Sequence, residues 1–160
     1  MKSRSRYFAI SIIVFLSIGI FAAGGYLYAA QGENAHDKAA IVEGAKQMMD
    51  GNKKVVDIMT KKGIKDADLT AAEKMMTEGY NLIAKGETMM TGSTMAEGKA
   101  MVTRGANMMM DAEKATMAAV EKHGMTQECS AALNECTTGE KKIKANFQAY
   151  GLQGNWEGQQ

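Results

Sequence analysis

Residues 78–90 recur without a gap as residues 97–109. Glu78-Gly79 aligns with Glu97-Gly98, Leu82-Ile83 with Met101-Val102, Lys85-Gly86 with Arg104-Gly105, and Met89-Met90 with Met108-Met109. A looser third copy starts at Glu43-Gly44 and continues through Gly51 to Val55-Val56. Seven residues make close to two helical turns, so Gly79 and Gly86 line one side of a helix, as do Gly98, Gly105, Ala112 and Ala119. Each glycine costs a helix interior about 1 kcal/mol relative to alanine. Repetition of that cost implies a compensating contact, the simplest being close approach by a neighbouring helix where no side chain intervenes.

Nothing else in the chain opposes long helices. Proline is absent, and few β-branched runs occur after residue 30. Between about 37 and 62, Ile41, Ala45, Met48, Val55 or Val56, and Met59 recur at helical spacing, with Gly63 as a stop. The order of hydroxyl and carboxylate in Thr70-Ala-Ala-Glu73 predicts a capping box that opens a second helix, running to about Met90. Thr94-Met-Ala-Glu97 repeats that pattern and predicts a third helix to about His123, ended by Gly124. A fourth, less regular helix carries Cys129, Leu133, Cys136, Ile143 and Phe147 on one face, with a potential interruption at Thr137-Thr138-Gly139. The tail from Gly151, including Trp156, has no periodic pattern and is expected to be irregular.

The amino terminus sets the expected topology. Lys2, Arg4 and Arg6 precede an uncharged run over residues 7–30, and acidic residues occur only after it. The positive-inside rule then leaves the amino terminus in the cytoplasm and exports the chain from Gln31 onward, to the periplasmic or extracellular face. The run is long enough to cross about 30 Å of hydrocarbon as a single-pass anchor with its amino terminus inside. Cleavage after Ala29 or Ala30 would instead release the exported part. Tyr26 and Tyr28 would lie at the outer interface of a retained anchor.

The expected organisation is all-α. An N-terminal membrane-spanning or signal helix (1–30) precedes an antiparallel three- to four-helix bundle or rod with Gly/Met heptad-like repeats (31–150), and an irregular tail (151–160) ends the chain. Setting aside the three basic residues of the leader leaves sixteen against eighteen acidic ones, a net charge of −2. Such a domain has no electrostatic case for nucleic acid. Because coiled coils share the heptad, the seam of Gly44, Gly51, Gly79, Gly86, Gly98 and Gly105 is also compatible with a homo-oligomer or a partner helix.

The chemistry, if there is any, resides in sulfur. Fourteen of the fifteen methionines fall between Met48 and Met125, where Leu69 and Leu82 are the only leucines. A thioether packs flexibly, and it is also a soft donor for Cu(I) or Ag(I) that needs no deprotonation. The candidate ligands are Met48, Met49, Met75, Met76, Met89, Met90, Met101, Met108, Met109, Met110, Met117 and Met125, with His123 beside the last two. No two of these methionines stand three or four apart, and adjacent ones point about 100° apart, so a site would have to draw on facing helices. The competing reading is core packing, and for His123 it is complementing a helix dipole.

Cys129 and Cys136 are read first as a structural disulfide, next as an inter-chain bond and last as metal ligands. On one unbroken helix their Cα atoms would be about 10.5 Å apart, too far for a disulfide. Only two histidines are present, His36 and His123, and there is no phosphate loop or nucleophile elbow; Glu-x-x-His occurs once, at Glu33–His36, so the doubled ligand set of di-iron bundles is missing. An enzyme is therefore not expected. Three non-enzymatic expectations remain: a soft-metal binding or buffering envelope protein, a structural or interaction rod, and a methionine oxidant sink.

Overall fold

The computed structural model describes residues 39–148, 151, 152 and 154, and all of its regular structure there is helical. The leader, His36 and Trp156 lie outside the described residues. Helix α1 spans 39–61, α2 Ala67–Met89, α3 Met95–Lys122 and α4 Ser130–Phe147, with a 3-10 turn at Gly92–Thr94 between α2 and α3. Among the described residues, no helix is long and apolar enough to cross a membrane.

The expected ends of α1 and α3 match the structure. The chain leaves α1 through Gly63 at φ 75 and α3 through Gly124 at φ 65, a left-handed conformation that glycine adopts without a Cβ penalty. The start of α2 differs. Asp66, not Thr70, is the cap: its Oδ1 accepts from the backbone N–H groups of Asp68 (2.9 Å) and Leu69 (3.1 Å), and the helix begins four residues earlier than the Thr70–Glu73 pattern implies. A carboxylate also interacts favourably with the helix dipole, which a threonine hydroxyl cannot match. Thr70 thus lies inside α2, donating its hydroxyl to the Asp66 carbonyl.

Thr94 is the N-cap of α3 but makes no side-chain cap bond. Its hydroxyl donates backwards to the carbonyls of Met89 (2.7 Å) and Thr91 (2.9 Å), tying down the turn between α2 and α3. Helix α4 is continuous through Thr137-Thr138-Gly139. Thr138 satisfies its hydroxyl on the Asn134 carbonyl one turn back, and Gly139 is buried against α1.

The glycines sort the helices into two close pairs. On α2 and α3, a Cβ added to Gly86 would lie 2.7 Å from the Gly98 carbonyl oxygen, and one added to Gly98 would lie 2.6 Å from that of Gly86. One heptad along, a Cβ on Gly79 would lie 2.7 Å from the Gly105 carbonyl oxygen and one on Gly105 2.5 Å from that of Gly79. On α1 and α4, Gly44 and Gly139 oppose each other in the same reciprocal way, and a Cβ on Gly51 would lie 2.8 Å from the Ala132 carbonyl oxygen. Sequence numbers rise along one helix as they fall along the other, so both pairs are antiparallel. All six glycines of the repeat face the chain's own helices.

Two groups of buried side chains fill the bundle. The larger includes Ile41, Met48, Met76, Ile83, Val102, Met109, Ile143 and Phe147. The smaller gathers Val55, Met59, Leu69, Val120, Met125 and Cys129 around the ends of α1 and α3 and the start of α4. Removing each such side chain from water stabilises the fold by about 1.5–3 kcal/mol before entropy is counted.

Candidate functional site

In Met48-Met49, Met75-Met76, Met89-Met90 and Met108-Met109 the helix buries one member and leaves the other at the rim, in keeping with a 100° step, while Met110 is buried beside Met109. Met48, Met76, Met90 and Met109 are 0–1 % exposed, while Met49, Met75, Met89 and Met108 are half-buried. Met48 from α1, Met90 at the end of α2, Met76 from α2, and Met109 and Met110 from α3 belong to one buried cluster, against which Met49 and Met75 also pack. The methionines of three helices therefore share an interior. Methionine also fills the glycine notches: a Cβ on Gly79 would lie 2.6 Å from Met109 Cγ, and one on Gly139 2.7 Å from Met48 Cγ.

The remaining expected ligands are not part of that cluster. Met125 lies in the smaller group, Met101 is half-buried and Met117 is exposed. His123, expected beside Met117 and Met125, is bonded to a carboxylate. Its Nε2 lies 2.9 Å from Asp66 Oδ2, which also accepts from Lys122 Nζ at 2.9 Å. Asp66 thus caps α2 with one oxygen and binds the end of α3 with the other. The Lys122 ammonium, then His123 and the Leu69 N–H, hold its carboxyl well below the usual carboxylate range against the opposing effect of burial. Of the fourteen methionines from Met48 to Met125, seven are buried and only Met95 and Met117 are exposed, a poor supply for an oxidant sink.

Both cysteines are free, buried thiols. Cys129 caps α4 and Cys136 lies two turns into the same continuous helix, so the geometry rules out the intrachain disulfide expected first. Burial also withholds both from a partner chain. Cys136 fits the notch left by Gly51, where an added Cβ would lie 2.7 Å from its Sγ, and its thiol donates to the Met48 carbonyl at 3.4 Å. Burial, reinforced by Glu113 and Glu135, pushes the Cys136 thiol up to about 12. It is protonated at neutral pH and is not a ready thiolate ligand.

Two polar contacts join α3 to the α1/α4 pair. Asn52 Nδ2 donates to Thr116 Oγ1 at 2.6 Å, fully buried, and the Thr116 hydroxyl in turn donates a hydrogen bond to the Ala112 carbonyl. Thr137 Oγ1 donates to Glu113 Oε1 at 3.2 Å. Glu113 is 5 % exposed; burial, then the neighbouring Glu140 carboxylate, pushes its carboxyl up to about 7, against the smaller opposing effects of Thr137 and Lys144. Asp66, Asn52, Glu113 and Thr137 were not among the candidate residues. Glu113 had a legible signal, since it continues the Val102, Ala106, Met109, Thr116, Val120 stripe and is charged.

Among the described residues, no three His, Cys, Asp or Glu side chains converge as a metal site. The fold and interior define an all-helical bundle of glycine-seamed pairs with a methionine-rich core. The chain matches no protein-family model, and the comparisons with curated proteins and with solved structures found no match.

Proposed function

We propose that this chain is a non-enzymatic, exported helical module, anchored or directed by residues 7–30, that binds or buffers a soft monovalent cation, Cu(I) or Ag(I), through interhelical methionines. The observation that supports this reading is the shared burial of Met48, Met76, Met90, Met109 and Met110, drawn from α1, from the end of α2, and from α2 and α3. Thioether sulfur binds soft ions without losing a proton, so such a site works over a wide pH range. The thiols, held protonated, play no part in the initial binding.

A titration of the purified, reduced full chain with Cu(I) against a chromogenic competitor tests this, alongside the Met108→Leu, Met109→Leu, Met110→Leu triple variant. Stoichiometric binding tighter than about 1 nM, weakened in the variant, is the expected result. If the chelator keeps all of its copper, the reading fails.

A second reading rests on the methionine stems lodged beside Gly79 and Gly139. In it the methionines are adaptable packing in a structural or interaction module. With the repeat glycines buried within the chain, a homo-oligomer or partner helix would use another face. The triple leucine variant would then retain full function and equal or greater stability.

A further inference from the structure

We propose that Glu113 is a proton-operated latch between the two glycine-seamed helix pairs, closed while its carboxyl is neutral and loosened when it ionises. Each pair is held along its length by backbone-to-backbone contact at the glycines, so the joint between the pairs is the natural place for the bundle to yield. Glu113 occupies that joint. It lies on the core stripe of α3, 5 % exposed, and faces α4. Its hydrogen bond from the Thr137 hydroxyl is a neutral one, and no basic side chain lies within ion-pairing distance of it among the described residues.

The surroundings favour the uncharged form. From α4, Glu140 contributes a second negative charge, Lys144 a positive charge of smaller effect, and Cys136 a protonated thiol. Lys144 is 2.7 Å from Glu140, which blunts its effect on Glu113. From α1 the neutral Asn52 reaches this joint, bonded to Thr116 one turn along α3. No charged group of α1 or α2 among the described residues bears on Glu113. An ionised carboxylate here would be buried with one hydroxyl donor and repelled by Glu140, and separation of α4 from α3 would relieve both penalties.

Linkage gives the sign of the effect. Glu113 binds its proton more tightly folded than unfolded, so its contribution is complete below the ordinary glutamate range and is lost as pH rises through neutrality. The latch is independent of the soft-metal reading, since it needs no bound ion.

The test is equilibrium unfolding of the full chain in nonionic detergent at pH 5 and pH 8, for wild type and Glu113→Gln, with a carbon-13 NMR titration of the Glu113 carboxyl. The wild-type unfolding constant should be about fifty-fold larger at pH 8 than at pH 5, beyond any change seen in Glu113→Gln. Equal pH dependence in the two proteins would overturn the proposal. If Glu113→Gln does not fold, the titration decides: a carboxyl titrating above about pH 6 supports the latch, and one titrating below it overturns it.

Discussion

Single side chains set the local chemistry, and two of them can be tested by their protons. Asp66 is held ionised by Lys122, His123 and the first turn of α2. Because its folded pKa is depressed, its stabilisation is present above the ordinary aspartate range and is lost as pH falls below it. Asp66→Asn should therefore lower the thermal midpoint at pH 6, and the gap to wild type should narrow towards pH 2. Cys136 gives a complementary prediction. With its thiol raised to about 12 and its sulfur in the Gly51 notch, it should resist iodoacetamide in the folded protein and react only on unfolding, as mass spectrometry would show. A native Cys136 that alkylates as fast as free cysteine would contradict the buried geometry.

Between helices, the decisive contact is glycine against carbonyl. Gly105→Ala gains up to about 1 kcal/mol of helix propensity. It also forces a Cβ to within 2.5 Å of the Gly79 oxygen, a backbone atom that cannot rotate away. Overpacking of this kind costs about 1–3 kcal/mol. A net loss of stability in urea unfolding is expected, the opposite of what propensity alone gives. Met109→Leu should cost less than about 1.5 kcal/mol because volume is conserved. Met109→Ala should cost about 2–5 kcal/mol because a cavity opens in the core. These helices were legible in the sequence because their signals are local: glycine every seven residues, methionine pairs beside it and no proline. The cap at Asp66 was missed because Thr70 and Glu73 offered a competing pattern of the right spacing. The union of Asp66 with Lys122 and His123 was not legible at all, since it joins residues over fifty positions apart.

At the scale of the whole molecule, the chain closes on itself. Its first described helix pairs with its last, through Gly44 with Gly139 and Gly51 with Ala132, enclosing the α2/α3 pair between them in sequence. Ion pairs Lys54–Glu135 and Lys142–Glu43 flank that closure but are largely exposed and contribute little. Truncation before Thr126 should therefore unfold α1 as well as remove α4, and circular dichroism should record the loss of two helices rather than one. A truncated protein that keeps the signal of three helices would show that α1 does not depend on α4.

Self-repetition also creates an ambiguity of alignment. If α3 slid seven residues along α2, Gly79 could face Gly98, and much of the seam would still interlock. What distinguishes the native alignment from this near-copy is the aperiodic polar pairs. A shift of one heptad, about 10.5 Å along the helix, would carry Lys122 and His123 away from Asp66 and Thr116 away from Asn52. The repeat works as a ratchet with several teeth, and these unrepeated side chains act as the pawl that selects one of them.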